Sequence, residues 1–238
     1  MTDKRVIDNF ISKYHLGGTI ERIKWVSDGE CLKANFINDS QNLVGKVKTG
    51  NFKFPVGEFG IYSTSTLSKL LGILENEVMF QVEKNAKFIV ADTNVDVKFN
   101  LADPQVIPSV PSIKETEGDI EVELDEEFTT KFIKSKDAVG EDVFYISTQE
   151  GFTSPEAKFT IGNNTSNSVS FTAHIEEGSP EIELNNIPIN ADIVKEIFKH
   201  NKSFEFGWMK INPKGLITFA FKFGDLETNY YLVRNQNS

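Results

Sequence analysis

The chain has 238 residues, of which 39% are hydrophobic and 25% charged, and its formal net charge is −10 at pH 7. That balance suits a folded protein with a sizeable core and argues against an intrinsically disordered chain. One cysteine, Cys31, excludes an intrachain disulfide, three histidines are too few for a histidine-rich zinc site, and no apolar run approaches the roughly 20 residues of a membrane-spanning helix. The opening MTDKRVIDNF lacks the apolar stretch of a signal peptide, and the lone cysteine makes a reducing compartment the expectation.

Taken in chain order, the first element is a helix over 2–14, with Val6, Ile7, Phe10, Ile11 and Tyr14 on one face, Thr2 or Asp3 as cap and Gly17-Gly18 as stop. Alternating strands GTIERIKWV and CLKANFIN follow, broken at Ser27-Asp28-Gly29 and ended at Asn38-Asp39-Ser40. A second helix over 63–76 carries Leu67, Leu70, Leu71 and Leu74 after the polar run Ser63 to Thr66. VMFQVE, KFIVAD and VDVKFNL are the next strands. A third helix over 124–136 begins at Asp125 with Glu126 and Glu127 in its first turn, and turns Leu124, Phe128 and Phe132 inward. VFYIS and SVSFTAHI lead through an Asn163-Asn164-Thr165 turn region to a fourth helix over 191–202, capped by Asn190, with Ile193, Val194, Ile197 and Phe198 on its apolar face. SFEFGWMK, LITFAFKF and NYYLV, with a turn at Asn212 to Gly215, close the chain.

Both halves thus run helix, strands, helix, strands, an internal duplication with a period of roughly 120 residues. Between them LADPQVIPSVPSIKETEGD holds Pro104, Pro108 and Pro111, and proline removes ladder donors and favours extended chain. The expected division is a first domain over 1–103, a connector over 104–119 and a second domain over 120–238.

The helical windows hold ten basic and eight acidic residues, so they are positive while the rest of the chain is strongly negative. At about 100° per residue, Arg5, Lys69, Lys134, Lys195, Lys199 and Lys202 lie away from the apolar faces of their helices, and Lys131 and Lys136 add to the third. For one helix this describes solvated lysines on an amphipathic segment; four such helices in a duplicated chain suggest a shared basic surface.

GIYSTSTLSKLLGIL, KFIVAD running on to Leu101-Ala102-Asp103-Pro104, and the closing Asn229-Tyr230-Tyr231-Leu232-Val233 resemble strings of the DNA-polymerase sliding clamps of large tailed bacteriophages, relatives of the cellular ring clamps. The resemblance spans essentially the whole chain. It implies an α+β DNA-clamp fold of two duplicated domains, each with two helices packed on antiparallel sheets. Family rings contain six domains, so a two-domain chain implies a head-to-tail homotrimer. The resemblance further implies helices lining a hole around double-stranded DNA, held by topology without reading bases. The implied partners are a DNA polymerase, other replication or transcription proteins and an ATP-dependent clamp loader; the implied setting is the cytoplasm of an infected bacterial host, with no cofactor and no membrane. The implied apolar pocket for a partner peptide has Val106, Ile107, Val110 and Ile113 as candidate walls, against the reading that these pin the connector to its own domains.

No phosphate-binding glycine loop, H-E-x-x-H or G-x-S-x-G is present, so catalysis is not expected. The carboxylates Asp92 and Asp96, or Glu126 and Glu127, read as caps and solvated faces, His200 as a helix-end residue and Cys31 as a small core residue. The main alternative is a non-catalytic β-rich virion structural protein, which needs neither paired helices nor basic helix faces. A carbohydrate-binding domain would expose Trp25 and Trp208 as platforms.

Overall fold

The computed structural model describes residues 2–84, 86–113, 119–150, 155–162 and 167–234. The chain forms two compact units, 1–111 with 224–228 and 112–223 with 229–238.

In the first unit the order is β1 (Thr2–Asp3), α1 (Lys4–His15), β2 (Ile23–Ser27), β3 (Leu32–Ile37), β4 (Leu43–Thr49), β5 (Gly57–Ile61), α2 (Thr64–Leu71), β6 (Glu77–Glu83), β7 (Lys87–Ala91) and β8 (Asp96–Asn100). The strands lie in the orders β5-β2-β3-β4 and β1-β6-β7-β8, with antiparallel pairs. Each strand that leads a helix pairs with the strand that follows the other helix: β1 with β6, and β5 with β2. The unit is therefore two interlocked strand–helix–three-strand modules. Phe10 and Tyr14 of α1 stand edge-on to Trp25, 5.5 and 6.4 Å between ring centroids, and Phe54, Phe59 and Phe88 continue the aromatic core. Such edge-to-face pairs add about 0.5–1.5 kcal/mol each beyond their area.

The second unit runs β9 (Ile120–Glu123), α3 (Glu126–Val139), β10 (Val143–Glu150), β11 (Pro155–Ile161), β12 (Val169–His174), β13 (Ile187–Asn190), α4 (Ala191–His200), β14 (Phe206–Ile211), β15 (Leu216–Phe223) and β16 (Leu226–Val233). The exchange recurs: β9 pairs with β14 and β13 with β10, giving the orders β9-β14-β15-β16 and β12-β11-β10-β13. Phe128, Phe132, Phe144, Phe159 and Phe198 form its core. Phenylalanine is thus spent mainly on two cores.

The helices fall where expected, and the caps hold: Asp3, Ser63, Asp125 and Asn190 each accept a backbone N–H of the first turn. Three details differ. Residues 18–22 are not strand, because Glu21 turns aside to accept the Ser65 N–H and hydroxyl at the start of α2. The second helix ends at Leu71, and the third continues to Val139, where Gly140 in the left-handed region stops it. The repeat also has a shorter period, since helices begin at residues 4, 64, 126 and 191.

The connector is less independent than proline content suggests. The Ala102 N–H donates to Gly60 C=O at 2.8 Å, and Asp103 caps a short 3-10 turn over Pro104–Val106, so this end belongs to the first unit. Residues 224–228 join that unit too, through Gly50 N–H to Asp225 C=O at 3.0 Å and the Asn51 amide to the Asp225 carboxylate at 2.8 Å.

Candidate functional site

Within each unit the two helices pack side by side, α1 with α2 and α3 with α4. Their apolar stripes are buried, Ile7, Phe10, Ile11 and Tyr14 in α1 and Ala191, Val194, Ile197 and Phe198 in α4, which leaves the opposite sides to solvent.

On those exposed sides the cations differ in their commitments. Lys69, Lys134 and Lys202 are exposed and, among the described residues, have no carboxylate within ion-pair distance. Arg5 is exposed but folded back on its own cap residue, 2.6 Å from Asp3, which holds the carboxyl below its ordinary range. Lys131 lies 3.3 Å from Glu127 and Lys199 3.4 Å from Glu196, exposed pairs worth a few tenths of a kcal/mol to about 1 kcal/mol at most. Lys195 is bonded to Asp137 of α3 at 2.5 Å, and that hydrogen bond raises its pKa.

Lys136 does not belong to this set. It is buried, with its ammonium 3.0 Å from Asp192 at the start of α4, 3.2 Å from Asp142 and 3.3 Å from the Gly140 carbonyl. The position follows from helical geometry: Lys136 lies one turn beyond Phe132, so it shares the inward face. It ties the end of α3 to the beginning of α4, and the ion pair holds the Asp142 carboxyl low. A second cation missed by amphipathic reasoning is Lys13, which is 6% exposed on α1, with burial pulling its pKa down to about 8.

Of the connector residues, Val106 is 60% exposed, and Ile107, Val110 and Ile113 are half-buried. None of the four lines the small cleft at this end of the first unit. Pro108 does, beside Ile20, Arg22, Ile37 and Asp39, with Arg22 2.7 Å from Asp39. A proline following the apolar pair Val106-Ile107 was the available signal for that wall, but which strand ends meet it is decided by tertiary packing.

The remaining side chains singled out in the sequence have structural duties. Asp92 accepts backbone N–H groups of Glu75, Asn94 and Val95, and Glu126 and Glu127 occupy the first turn of α3. His200 lies 3.3 Å from Glu196, and Cys31 is half-buried beside β3. Trp25 is wholly buried and cannot be a sugar platform; Trp208 is half-buried on the outward side of β14. The Asn163-Asn164-Thr165 turn lies outside the described residues. Among the described residues no His, Cys, Asp and Glu group could hold a metal ion, and no helix is long and apolar enough to cross a membrane.

Neither a protein-family model nor a curated protein sequence matches the chain. Solved structures do. PCNA of A. fulgidus, determined with the C-terminal region of FEN-1 bound, aligns over 100% of this chain and 98% of its own, with a TM-score of 0.78 and 17% identity. Proliferating Cellular Nuclear Antigen from Entamoeba histolytica aligns over 98% and 96%, with a TM-score of 0.76 and 16% identity. At such identities the likeness is one of fold, and it extends along both units: the chain has the α+β fold of the PCNA sliding clamps.

Proposed function

We propose that this protein is a sliding clamp, a homotrimeric ring that encircles double-stranded DNA and tethers a replicative DNA polymerase, in a tailed bacteriophage. The observation that carries this reading is the pairing of a whole-chain clamp fold with exposed, uncommitted cations on the helices of both units, Lys69 in one and Lys134 and Lys202 in the other. Those ammonium groups would meet phosphates of any sequence, and Lys131, Lys199 and Arg5 would exchange weak carboxylate pairs for phosphate contacts. Lys195 would contribute mainly through the field near the helices, since its proton donors are shared with Asp137. A sparse lining suits sliding: retention comes from closure, and contact affinity stays low.

Closure would use the open ends of the sheets. In the first unit β8, and in the second unit β12, has a partner on one side only. These strands have five and six residues, so β8 of one copy can continue β12 of the next, a heterologous joint that closes when the rotation fits. An ATP-driven loader would open the ring, leaving ATP chemistry to that partner. The FEN-1 segment on A. fulgidus PCNA supports a peptide-docking role, which the connector and the Pro108 cleft would serve here.

Charge reversal tests the helix assignment. Lys134→Glu with Lys202→Glu should leave assembly unchanged and lower polymerase processivity on primed DNA several-fold, more steeply as salt rises. Undiminished processivity would remove the helices from the DNA-facing role.

A further inference from the structure

The outward side of β2-β3-β4 is basic in a protein of net charge −10. Strand alternation turns Lys24 and Val26, Lys33 and Asn35, and Lys46 and Lys48 away from a core that holds Trp25, Ala34 and Val47. The register sets them in two rows: Lys24, Asn35 and Lys46 in one, Val26, Lys33 and Lys48 in the other. Lys24 is paired with Glu58 at 3.1 Å, and Lys33 is 3.9 Å from Asp28. Lys46 and Lys48 have no carboxylate within ion-pair distance among the described residues. Lysines directly opposite one another, as Lys33 and Lys48 are, cost a sheet stability, so this face is not arranged for the fold alone.

Its position suggests a use. Arg22 and Ile37, which line the Pro108 cleft, lie two residues from Lys24 and Asn35, Arg22 just ahead of β2 and Ile37 at the end of β3. With about 3.4 Å per residue, the two lysine rows lie about 7 and 14 Å from the cleft, the reach of some four extended residues. We infer that the lysine face is the specificity surface for partner peptides docked at the connector cleft, and that it selects those with an acidic stretch flanking the apolar anchor. This rests on the peptide-docking reading above. An anchored peptide holds its carboxylates over the face at high effective concentration, so exposed ion pairs that are weak singly act together. A free single strand of nucleic acid is the poorer fit: within the lysine rows Val26 and Asn35 offer no aromatic ring on which bases could stack, and the exposed ring of Tyr62 lies at the cleft end beside Arg22.

The test uses the full chain and three fluorescein-labelled probes, read by anisotropy at low and moderate salt. Two are peptides with the same uncharged anchor of leucine and phenylalanine residues, one preceded by four glutamates and one by four serines; the third is a 15-nucleotide oligothymidylate. The glutamate peptide should bind at least tenfold more tightly than the serine peptide. Lys46→Gln with Lys48→Gln should erase most of that advantage while leaving serine-peptide affinity unchanged, and both positions are exposed enough for the variant to fold. Equal affinities for the two peptides overturn the inference and leave the cleft reading standing. Binding of the glutamate peptide that is lost in the lysine variant but unaffected by Ile37→Asp keeps the acidic selectivity and overturns the cleft reading. Failure of the glutamate peptide to bind, or a lysine variant that loses only the oligothymidylate, overturns the inference, the latter in favour of nucleic acid.

Discussion

Lys13 and Lys136 stand at one turn's remove from aromatic core residues, and both are drawn inside, with different solutions to the cost of burying a charge. Lys136 keeps its charge by facing Asp142, Asp192 and the Gly140 carbonyl. At Lys13 burial lowers the pKa to about 8, so the ammonium gives up its proton more readily than in the unfolded chain. Between about 8 and the unfolded value of 10.5, the unfolded chain binds more protons at this site than the native one, so this group's penalty is full below about 8 and is relieved as pH rises through that window. Between about pH 8 and 10.5 the native chain should therefore gain stability relative to Lys13→Met by about 1–3 kcal/mol, a little under the full worth of the pKa shift, as urea midpoints of the two measured across that range would show.

At the scale of elements, the close approach of the connector to β5 depends on a missing side chain. A Cβ on Gly60 would stand 2.5 Å from the Ala102 carbonyl oxygen, inside any real contact, and that oxygen is backbone, held by the neighbouring bridge between the two residues. Gly60→Ala should push the connector off the edge of β5 and destabilise the first unit by roughly 1–3 kcal/mol. Faster amide exchange at Ala102, with the second unit's amides unchanged, would check it. Helix placement needed no such contact to be legible: capping residues and period-3.6 stripes are local signals. The strands LVGKVKT and PEAKFTI were harder, because Gly45 occupies an inward position in one and Pro155 opens the other.

For the whole molecule, the proposed ring makes a mass prediction. Light scattering at high concentration should give about 80 kDa, three copies of the chain under cyclic symmetry. A trimer that falls apart on dilution would mean a joint that relies on a loader for closure, and a monomer at all concentrations would overturn the self-assembled ring. The fold itself contains four copies of one strand–helix–three-strand module, locked in pairs by exchange of their leading strands. The longer period of two was readable from helix spacing and proline placement. The exchange was not, because pairing of β1 with β6 or β9 with β14 joins residues far apart in sequence and leaves no local periodic trace.

Helix positions and caps were settled by the sequence, since each rests on turn chemistry or on periodicity within a dozen residues; the duplication followed from the spacing of those helices, and the fold class from the resemblance they support. Tertiary structure decided the fate of individual charges. Lys134 and Lys136 look alike two residues apart on one helix, yet one faces solvent and the other two carboxylates, because a 200° rotation carries the side chain from the outer face to the packed one. It also decided where cations gather: Lys24, Lys33, Lys46 and Lys48 come from three strands and become one surface only through the register that sets them side by side.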